Sequence, residues 1–461
     1  MLITRFSPSP TGSLHFGSIR TALFSWLYAK QKKGKFILRI EDTDLQRSNN
    51  YFSNLILDVM NWLKISYDAG PFFQQSRKKY YQMYIQKLLK SGYAYKCYCS
   101  KERLAKLREM QILKKQNPKY DGYCRNKNIK NSNFYIIRFK NPKNGRVIWY
   151  DLIKGKIEIS NSELDDLILS RSDGSYTYNF AAAVDDHLMK ITHVIRGDDH
   201  VSNTPKQINI LQAIDGFIPK YAHIPMILDK NGKRLSKRHN TTDIIEYRNL
   251  GYLPQSLLNY LIRLGWSHKN KEIFSINEMI KYFKLQNVNQ SASIFDINKL
   301  RWLNRYYINS LSYEDIKEEI KRHFLNANID IHNGPKLKNV FLLMSKGTTT
   351  LVELAKKSKF FYQENIKINI NLEKKYFSYE THKHIKYLYQ KLFSIEKWES
   401  LLIFQAIKNT MKKFHLNIKN IAMPMRIIIT GFDNSPSISH IAELLGKYRC
   451  LSRIQNFLSM N

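Results

Sequence analysis

Apolar and polar positions follow two alternating rhythms through the first part of this chain. Leu2 to Phe6 is short, apolar and β-prone, and predicts a strand. Pro8, Pro10 and Gly12 then forbid regular structure. After Gly17, the positions Ile19, Ala22, Leu23, Trp26 and Leu27 recur at helical spacing, and Gly34 stands where a C-terminal stop belongs. Phe36 to Ile40 predicts a second strand, closed by the acidic turn Glu41-Asp42-Thr43-Asp44. Helical spacing resumes through Leu55, Val59 and Trp62, and again through Tyr80, Tyr84, Leu88 and Leu89. Such alternation is what a doubly wound parallel sheet requires, with ligands at the carboxyl ends of its strands.

Near Lys96 the rhythm breaks. From Lys96 to Arg146 there are 15 Lys and Arg against three acids, Glu102, Glu109 and Asp121. The segment runs to about Ser175 with short strands such as Phe134 to Phe139. Alternation returns with a strand at Ile191 to Arg196, and Thr204-Pro205 predicts a helix start, as N-cap and first-turn proline. Beyond a lysine-rich loop the spacing is helical, in Asp243 to Leu250 and Gln255 to Leu264. Ser312-Tyr313-Glu314-Asp315 resembles a capping box, and helices without a catalytic constellation follow to Asn461. There is no internal repeat.

A chain of 461 residues is too long for one core, so three or more domains are expected. Its 74 Lys and Arg against 38 Asp and Glu give a formal charge of +36, which suits a polyanionic partner of tRNA size. The abundance of Lys, Asn, Ile, Tyr and Phe also fits a lysine-rich background composition. No apolar run reaches the length of a membrane span, and the first strand starts at once, so neither a membrane anchor nor a leader is expected. Four cysteines, three of them clustered, do not make a disulfide framework, so a reducing cytoplasm is the expected setting.

The candidate chemistry lies first in Arg5-Phe6-Ser7-Pro8-Ser9-Pro10-Thr11-Gly12-Ser13-Leu14-His15-Phe16-Gly17-Ser18. Strand, glycine-bearing turn and helix aim free N–H groups at an anion. His15 can donate to phosphate oxygens, and Gly17 lets a flat ring lie against backbone. Alone, His-x-Gly is a weak signal; it gains weight from Gly232-Lys233-Arg234-Leu235-Ser236-Lys237-Arg238. The two runs resemble the paired signatures of class I aminoacyl-tRNA synthetases. Arg39-Ile40-Glu41-Asp42-Thr43-Asp44, Tyr178-Asn179-Phe180 and Val194-Ile195-Arg196-Gly197-Asp198-Asp199-His200 narrow the resemblance to the bacterial-type glutamyl-tRNA synthetases. It covers residues 2 to about 310 with specific motifs and the remainder more loosely.

The resemblance implies an α/β fold: a Rossmann-like catalytic domain (1–95 and 176–230) split by an acceptor-end insertion (96–175). A lysine loop and stem-contact region (231–311) and a mostly α-helical anticodon-binding region (312–461) would follow. It implies a monomer that uses ATP with Mg2+ to join L-glutamate to tRNA(Glu) through glutamyl-adenylate, with tRNA(Gln) as an alternative second substrate. His15 and Lys237 would be catalytic, and His15, Gly17, Ser18, Arg234, Ser236 and Lys237 would hold ATP. Adenylate formation is an in-line displacement through an anionic transition state, so it needs positioned cations more than a nucleophile. Phe16, Ser18, Arg234 and Arg238 depart from the commonest motif spellings but keep this chemistry; by itself Lys233 to Arg238 also reads as a basic surface loop.

Glutamate needs cations for two carboxylates and an anion for its ammonium group. Arg5 and Arg196 stand at strand ends and can each grip a carboxylate, Glu41 suits the ammonium, and Ser7, Ser9 and Tyr178 supply hydroxyls. These positions match the family's glutamate pocket. Where the family often has an asparagine, four residues after the tyrosine, this chain has Ala182. Glutamine would leave an arginine opposite a neutral amide. Cys97, Cys99 and Cys124 resemble the zinc knob of some members, with Tyr120 where certain relatives carry a tyrosine ligand and Asn126 where others carry a histidine. Zinc, or reduced and partly buried thiols, both remain open; Cys450 stands alone and reads as core. In the C-terminal region Lys336, Lys338, Lys346, Lys356, Lys357 and Lys359 alternate with apolar Val340, Leu342 and Leu351, as a helical cage for an anticodon stem and loop would require.

Overall fold

Apolar strands and amphipathic helices at the start of the chain build a parallel sheet. In the computed structural model, which describes residues 1–43, 49–127, 135–235 and 243–459, these are β1 (Ile3–Phe6), α1 (Phe16–Gln31), β2 (Lys35–Ile40), α2 (Asn50–Trp62), β3 (Ala69–Phe73) and α3 (Lys78–Lys90). β1 pairs parallel with β2, and β2 with β3. Gly34 is not the left-handed stop expected of it. Lys33 takes that conformation (φ 50°), while a Cβ on Gly34 would meet the Leu2 carbonyl oxygen at 2.4 Å. The glycine is there for the close approach of two chain segments.

The basic segment contributes β4 (Ala94–Cys97), α4 (Lys101–Leu113), β5 (Ile136–Phe139), β6 (Arg146–Asp151), β7 (Gly155–Ser160) and β8 (Ile168–Ser170). β4, β5 and β8 form one antiparallel sheet and β6–β7 a hairpin. Phe134, expected to open a strand here, lies outside the described residues. α4 buries none of its own side chains; Lys101, Lys106 and Arg108 face solvent, while Arg103 pairs with Asp121. The two sheets do not stand apart from the first. Ile137, Phe139 and Leu169 share a core with Tyr81, Leu88 and Phe180, and Val147 and Trp149 share another with Ile37, Val194 and Tyr221.

The parallel sheet resumes with α5 (Tyr178–Leu188), β9 (His193–Gly197), α6 (Thr204–Ala213), β10 (Lys220–Ile224) and β11 (Ile227–Leu228). β9 pairs parallel with β10, and Thr192 ties it to β1. The Thr192 N–H donates to the Ile3 carbonyl at 3.0 Å, and the Ile3 N–H donates to Thr192 Oγ1 at 2.8 Å. The strand order β3-β2-β1-β9-β10 therefore reverses direction between β1 and β9, where such sheets open a crevice. Thr204 is the first residue of α6, not its cap. Its hydroxyl accepts from Arg196 Nη2 at 2.7 Å, and Asn203 caps the helix without a side-chain bond.

One unit comprises residues 1–246 with 257–296 and the other 247–256 with 297–461. The remaining elements of the first are α7 (Ile244–Asn249) and α8 (Pro254–Arg263), both running past its bounds, α9 (Ile276–Tyr282) and β12 (Ser293–Ile294), which pairs with β11. The second is helical among its described residues, from α10 (Ile297–Ser310) and α11 (Tyr313–Asn326) to the C-terminal helix Lys447–Ser459. The capping box at Ser312 forms, with Asp315 answering from the third helical position. Of the apolar positions between these lysines, Val340 and Leu351 are buried and Leu342 faces solvent. Lys336, Lys338, Lys346, Lys356 and Lys359 are exposed, and Lys357 pairs with Glu353 at 2.7 Å. Cys450 is core, as read; burial pushes its thiol up to about 12. Among the described residues no helix is long and apolar enough to cross a membrane.

Candidate active site

The crevice at the strand reversal is a cleft of about 680 Å³. Arg5, Ser7, Ser9, His15, Gly17, Ser18, Glu41, Tyr178, Arg196 and Arg234 all line it. Ser236, Lys237 and Arg238 lie outside the described residues.

At one end, His15 caps α1. Its Nδ1 accepts the Ser18 N–H at 3.2 Å, and the Ser18 hydroxyl lies 3.1 Å from Nε2. A Cβ on Gly17 would stand 3.1 Å from His15 Cε1 and Nδ1. The absence of a side chain at Gly17 thus makes room for the imidazole of His15. Arg234, exposed on the turn after β11, reaches Asp199 at 3.3 Å.

At the other end sits a buried charge cluster. Arg5 Nε donates to Asp186 Oδ1 at 3.2 Å, and Arg39 Nη1 donates to the same oxygen at 2.8 Å. Arg39 Nη2 also donates to Glu41 at 3.2 Å. Burial pushes the Glu41 carboxyl up, against the pull of Arg39 and Arg5. Burial acts the same way on Asp186, but Arg5 and Arg39 outweigh it and hold that carboxyl below its usual range. Behind them, fully buried Asp185 accepts from Arg77 Nε at 2.7 Å, Gln74 Nε2 at 2.9 Å and the Tyr81 hydroxyl at 2.7 Å.

Arg196 differs from Arg5. Its Nε donates to His223 Nε2 at 3.2 Å, Nη1 to Gln207 Oε1 at 2.8 Å and Nη2 to Thr204 Oγ1 at 2.7 Å. These partners are neutral, since burial holds His223 below its usual pKa. Arg5, Arg39 and Arg77 pair with the carboxylates Glu41, Asp185 and Asp186, whereas the Arg196 guanidinium bonds neutral groups. Tyr178 hydrogen-bonds His200 Nδ1 at 3.1 Å, and burial lowers that histidine to about 4, so it is neutral near pH 7. Ser7 Oγ is shielded from solvent with no partner among the described residues. Ala182 is buried and does not reach the cleft, whose polar groups beside Tyr178 are His200 and Asn203.

Residues 1–302 match the family of class I tRNA synthetases (E and Q), catalytic domain, and residues 313–458 match the anticodon binding domain family. The chain is 50% identical over 455 residues to the glutamate--tRNA ligase of Wigglesworthia glossinidia brevipalpis, covering 98% of this chain and 96% of that one. It is 48% identical over 456 residues to the enzyme of that name from Legionella pneumophila (strain Corby), covering 99% and 97%. The chain belongs to the glutamate--tRNA ligase family. A crystal structure of a glutamate tRNA ligase from Elizabethkingia meningosepticum, in complex with its amino acid, superposes with a TM-score of 0.85 at 31% identity over 99% of each chain. Class I synthetases charge tRNA with an amino acid using ATP.

This synthetase carries a second cluster outside the cleft lining. The ligand atoms of Cys97, Cys99 and Cys124 lie within 4.8 Å of one another. The Tyr120 hydroxyl stands 3.4 Å from Cys97 Sγ and 3.6 Å from Cys99 Sγ, while it accepts the Cys124 N–H at 2.9 Å. Burial raises Cys99 to about 11. Burial also acts on Cys97, but hydrogen bonds from Tyr120, the Cys99 backbone and Arg138 leave its thiol below the usual value. The residues missed from the sequence are Asp185, Asp186, Gln207 and His223. Their signals were present: two consecutive acids in an apolar helix and a histidine in an apolar strand each need a buried partner.

Proposed function

We propose that this ligase joins L-glutamate to tRNA(Glu) through glutamyl-adenylate, in the cleft between β1 and β9. The observation that carries this reading is Arg196: a buried cleft-lining guanidinium whose hydrogen-bond partners are neutral leaves its charge for a ligand carboxylate, opposite Arg5 and Glu41. Arg196 would take the side-chain carboxylate, with Arg5, held by Asp186 through Nε, offering its Nη groups to the ligand. Glu41, held in place by Arg39, would take the ammonium, and Ser7, Ser9 and Tyr178 would add hydroxyls. A neutral glutamine amide would strand the Arg196 charge.

ATP would lie toward the α1 end, against His15, Gly17, Ser18 and Arg234, with Ser236 and Lys237 closing over its phosphates. The glutamate α-carboxylate oxygen attacks the α-phosphorus, the bond to the β-phosphate oxygen breaks, and pyrophosphate leaves. A terminal ribose hydroxyl of the tRNA then attacks the acyl carbon and releases AMP. Mg2+ bound with the nucleotide would neutralise phosphate charge. Domain roles follow the same reading: 96–175 for the acceptor end, 231–311 for the lysine loop and stem, and 312–461 for the anticodon, in a monomer.

A zinc ion fits Cys97, Cys99, Cys124 and Tyr120. Tetrahedral thiolate ligation sets sulfur–sulfur edges of roughly 3.8 Å, and Cys99 and Cys124 already lie 3.5 Å apart. Asn126 is exposed and would be no ligand. Pyrophosphate exchange and charging with purified tRNA(Glu) and tRNA(Gln) test the whole reading. Glutamate is expected to support both reactions and glutamine neither; equal exchange with both amino acids would overturn it. Glutamylation of tRNA(Gln) would extend the substrate range to a non-discriminating enzyme.

A further inference from the structure

The group that fixes Arg196 is itself fixed by a residue of the inserted segment. β6 alternates exposed and buried positions, and its last inward side chain is Asp151, buried like His223. Asp151 Oδ2 lies 2.5 Å from His223 Nδ1, and its Oδ1 accepts the main-chain N–H groups of Ile153 at 3.0 Å, Lys154 at 2.9 Å and His223 at 3.2 Å. His223 Nε2 receives Arg196 Nε–H at 3.2 Å and also lies 3.1 Å from the Thr204 hydroxyl, so the ring proton sits on Nδ1 and is given to Asp151. Tyr221 stacks parallel to the imidazole at 6.1 Å, and Lys154 is drawn off to Asp198 at 3.1 Å. Four main-chain and side-chain donors thus converge on one carboxylate, which leaves His223 a single tautomer and a single acceptor face.

We propose that Asp151 and His223 are positioning residues that hold Arg196 for the amino-acid carboxylate; this rests on the pocket reading above. The carboxylate orders the imidazole, the imidazole accepts from Nε, and the guanidinium edge bearing both Nη groups is set by that bond together with Gln207 and Thr204. Arg196 needs this because an acceptor with its own negative charge would cancel the one it offers to substrate. A neutral histidine backed by a remote carboxylate orients the arginine without neutralising it.

The test is steady-state exchange kinetics, with glutamate and ATP KM measured separately. In Asp151→Asn, one orientation of the amide turns its NH2 toward His223 Nδ1–H. The other turns it toward the N–H groups of Ile153 and Lys154. The first orientation keeps the amide oxygen on the three main-chain N–H groups and is the favoured one, so the imidazole proton moves to Nε2 and opposes Arg196 Nε–H. The glutamate KM should rise roughly tenfold or more, the scale of a lost bond to a charged group, with the ATP KM unchanged. His223→Leu should do the same. His223→Gln places an amide oxygen near the Nε2 position and should restore much of the affinity, and in that background Asp151→Asn should add little. Equal effects of Asp151→Asn in both backgrounds would mark it as a hairpin residue only and overturn the proposal. If Asp151→Asn does not fold, the comparison of His223→Gln with His223→Leu decides: equal glutamate KM values refute the relay. Arg196→Gln separates the two levels of inference. An unchanged glutamate KM there would sink the pocket reading, whereas a raised one with normal Asp151→Asn and His223→Leu would sink the relay alone.

Discussion

Replacing Asp185 by asparagine isolates the contribution of the buried charge cluster behind the cleft. The native carboxylate accepts from three donors and stands 3.9 Å from Arg39 Nε. Asparagine keeps one acceptor oxygen and turns the other into a donor. Part of this is repairable, because Gln74 can flip its amide and Tyr81 can accept where it donated. The charge is not repairable. A stranded buried ion costs roughly 3–5 kcal/mol. Arg39 keeps Glu41 and Asp186, and Arg77 is 14% exposed and can find water, so the cost falls to about 2–3 kcal/mol. For a unit of this size the midpoint should drop by roughly 3–5 °C. Thermal unfolding followed by hydrogen exchange should show protection lost in α3 and α5, with the helical C-terminal unit unaffected. Tyr81→Phe, which removes one donor and no charge, should cost only about 1 kcal/mol. A midpoint for Asp185→Asn within about 1 °C of the parent would refute the claim that this carboxylate carries the cluster.

Gly17→Ala should displace the His15 ring by a few tenths of an ångström and loosen its cap on α1. Isothermal titration with a non-hydrolysable ATP analogue should show weaker binding, and unchanged affinity would count against the reading. Lys237→Ala should slow pyrophosphate exchange by roughly 10²–10³-fold at unchanged glutamate KM, as when one preorganised charge-stabilising group is lost; a KM effect alone would misplace the residue. Elemental analysis should find about one zinc per chain, by the four-ligand rule for a structural site, and far less in Cys124→Ser; less than a tenth of an equivalent in the parent favours plain thiols. For pH, burial lowers His193 and His323 to about 4, so the unfolded chain binds their protons first as pH falls below 6.5. Stability should therefore decline from pH 6.5 to about 4 on their account, and urea midpoints for His193→Gln should show a smaller decline than the parent over that window.

The strands, helices and cleft-lining residues were legible because they depend on local pattern. Arg5 and Arg196 end strands, and a strand end at a sheet reversal faces the crevice whatever its distant neighbours are. Pairing was not legible, because it joins residues remote in sequence. Nothing near Arg5 points to Asp186, 181 positions away. Arg39 gave a partial signal, a charge amid the apolar Leu38 and Ile40, which requires counter-ions without saying which. Gly17 was read as making room for a ligand ring; that a Cβ there would also crowd the His15 ring was not legible. Thr204 was read as a cap from its place before a proline, but a buried guanidinium competes for the same hydroxyl and wins it.

The tie between Ile3 and Thr192 also has a meaning for synthesis. The two residues are separated by 189 positions, so β1 leaves the ribosome long before β9 does. At ordinary translation rates the interval is roughly 10–40 s. Throughout it, one edge of β1 presents unpaired N–H and C=O groups, and Arg5 and Arg39 wait without Asp186. The strands of the inserted segment emerge in that same interval with apolar faces of their own, and strands of one sheet can stick to the open edge of another. The nascent chain thus carries its greatest hazard of mispairing between the third strand and the ninth, and a pause or a bound chaperone acting there would change yield without touching the finished enzyme.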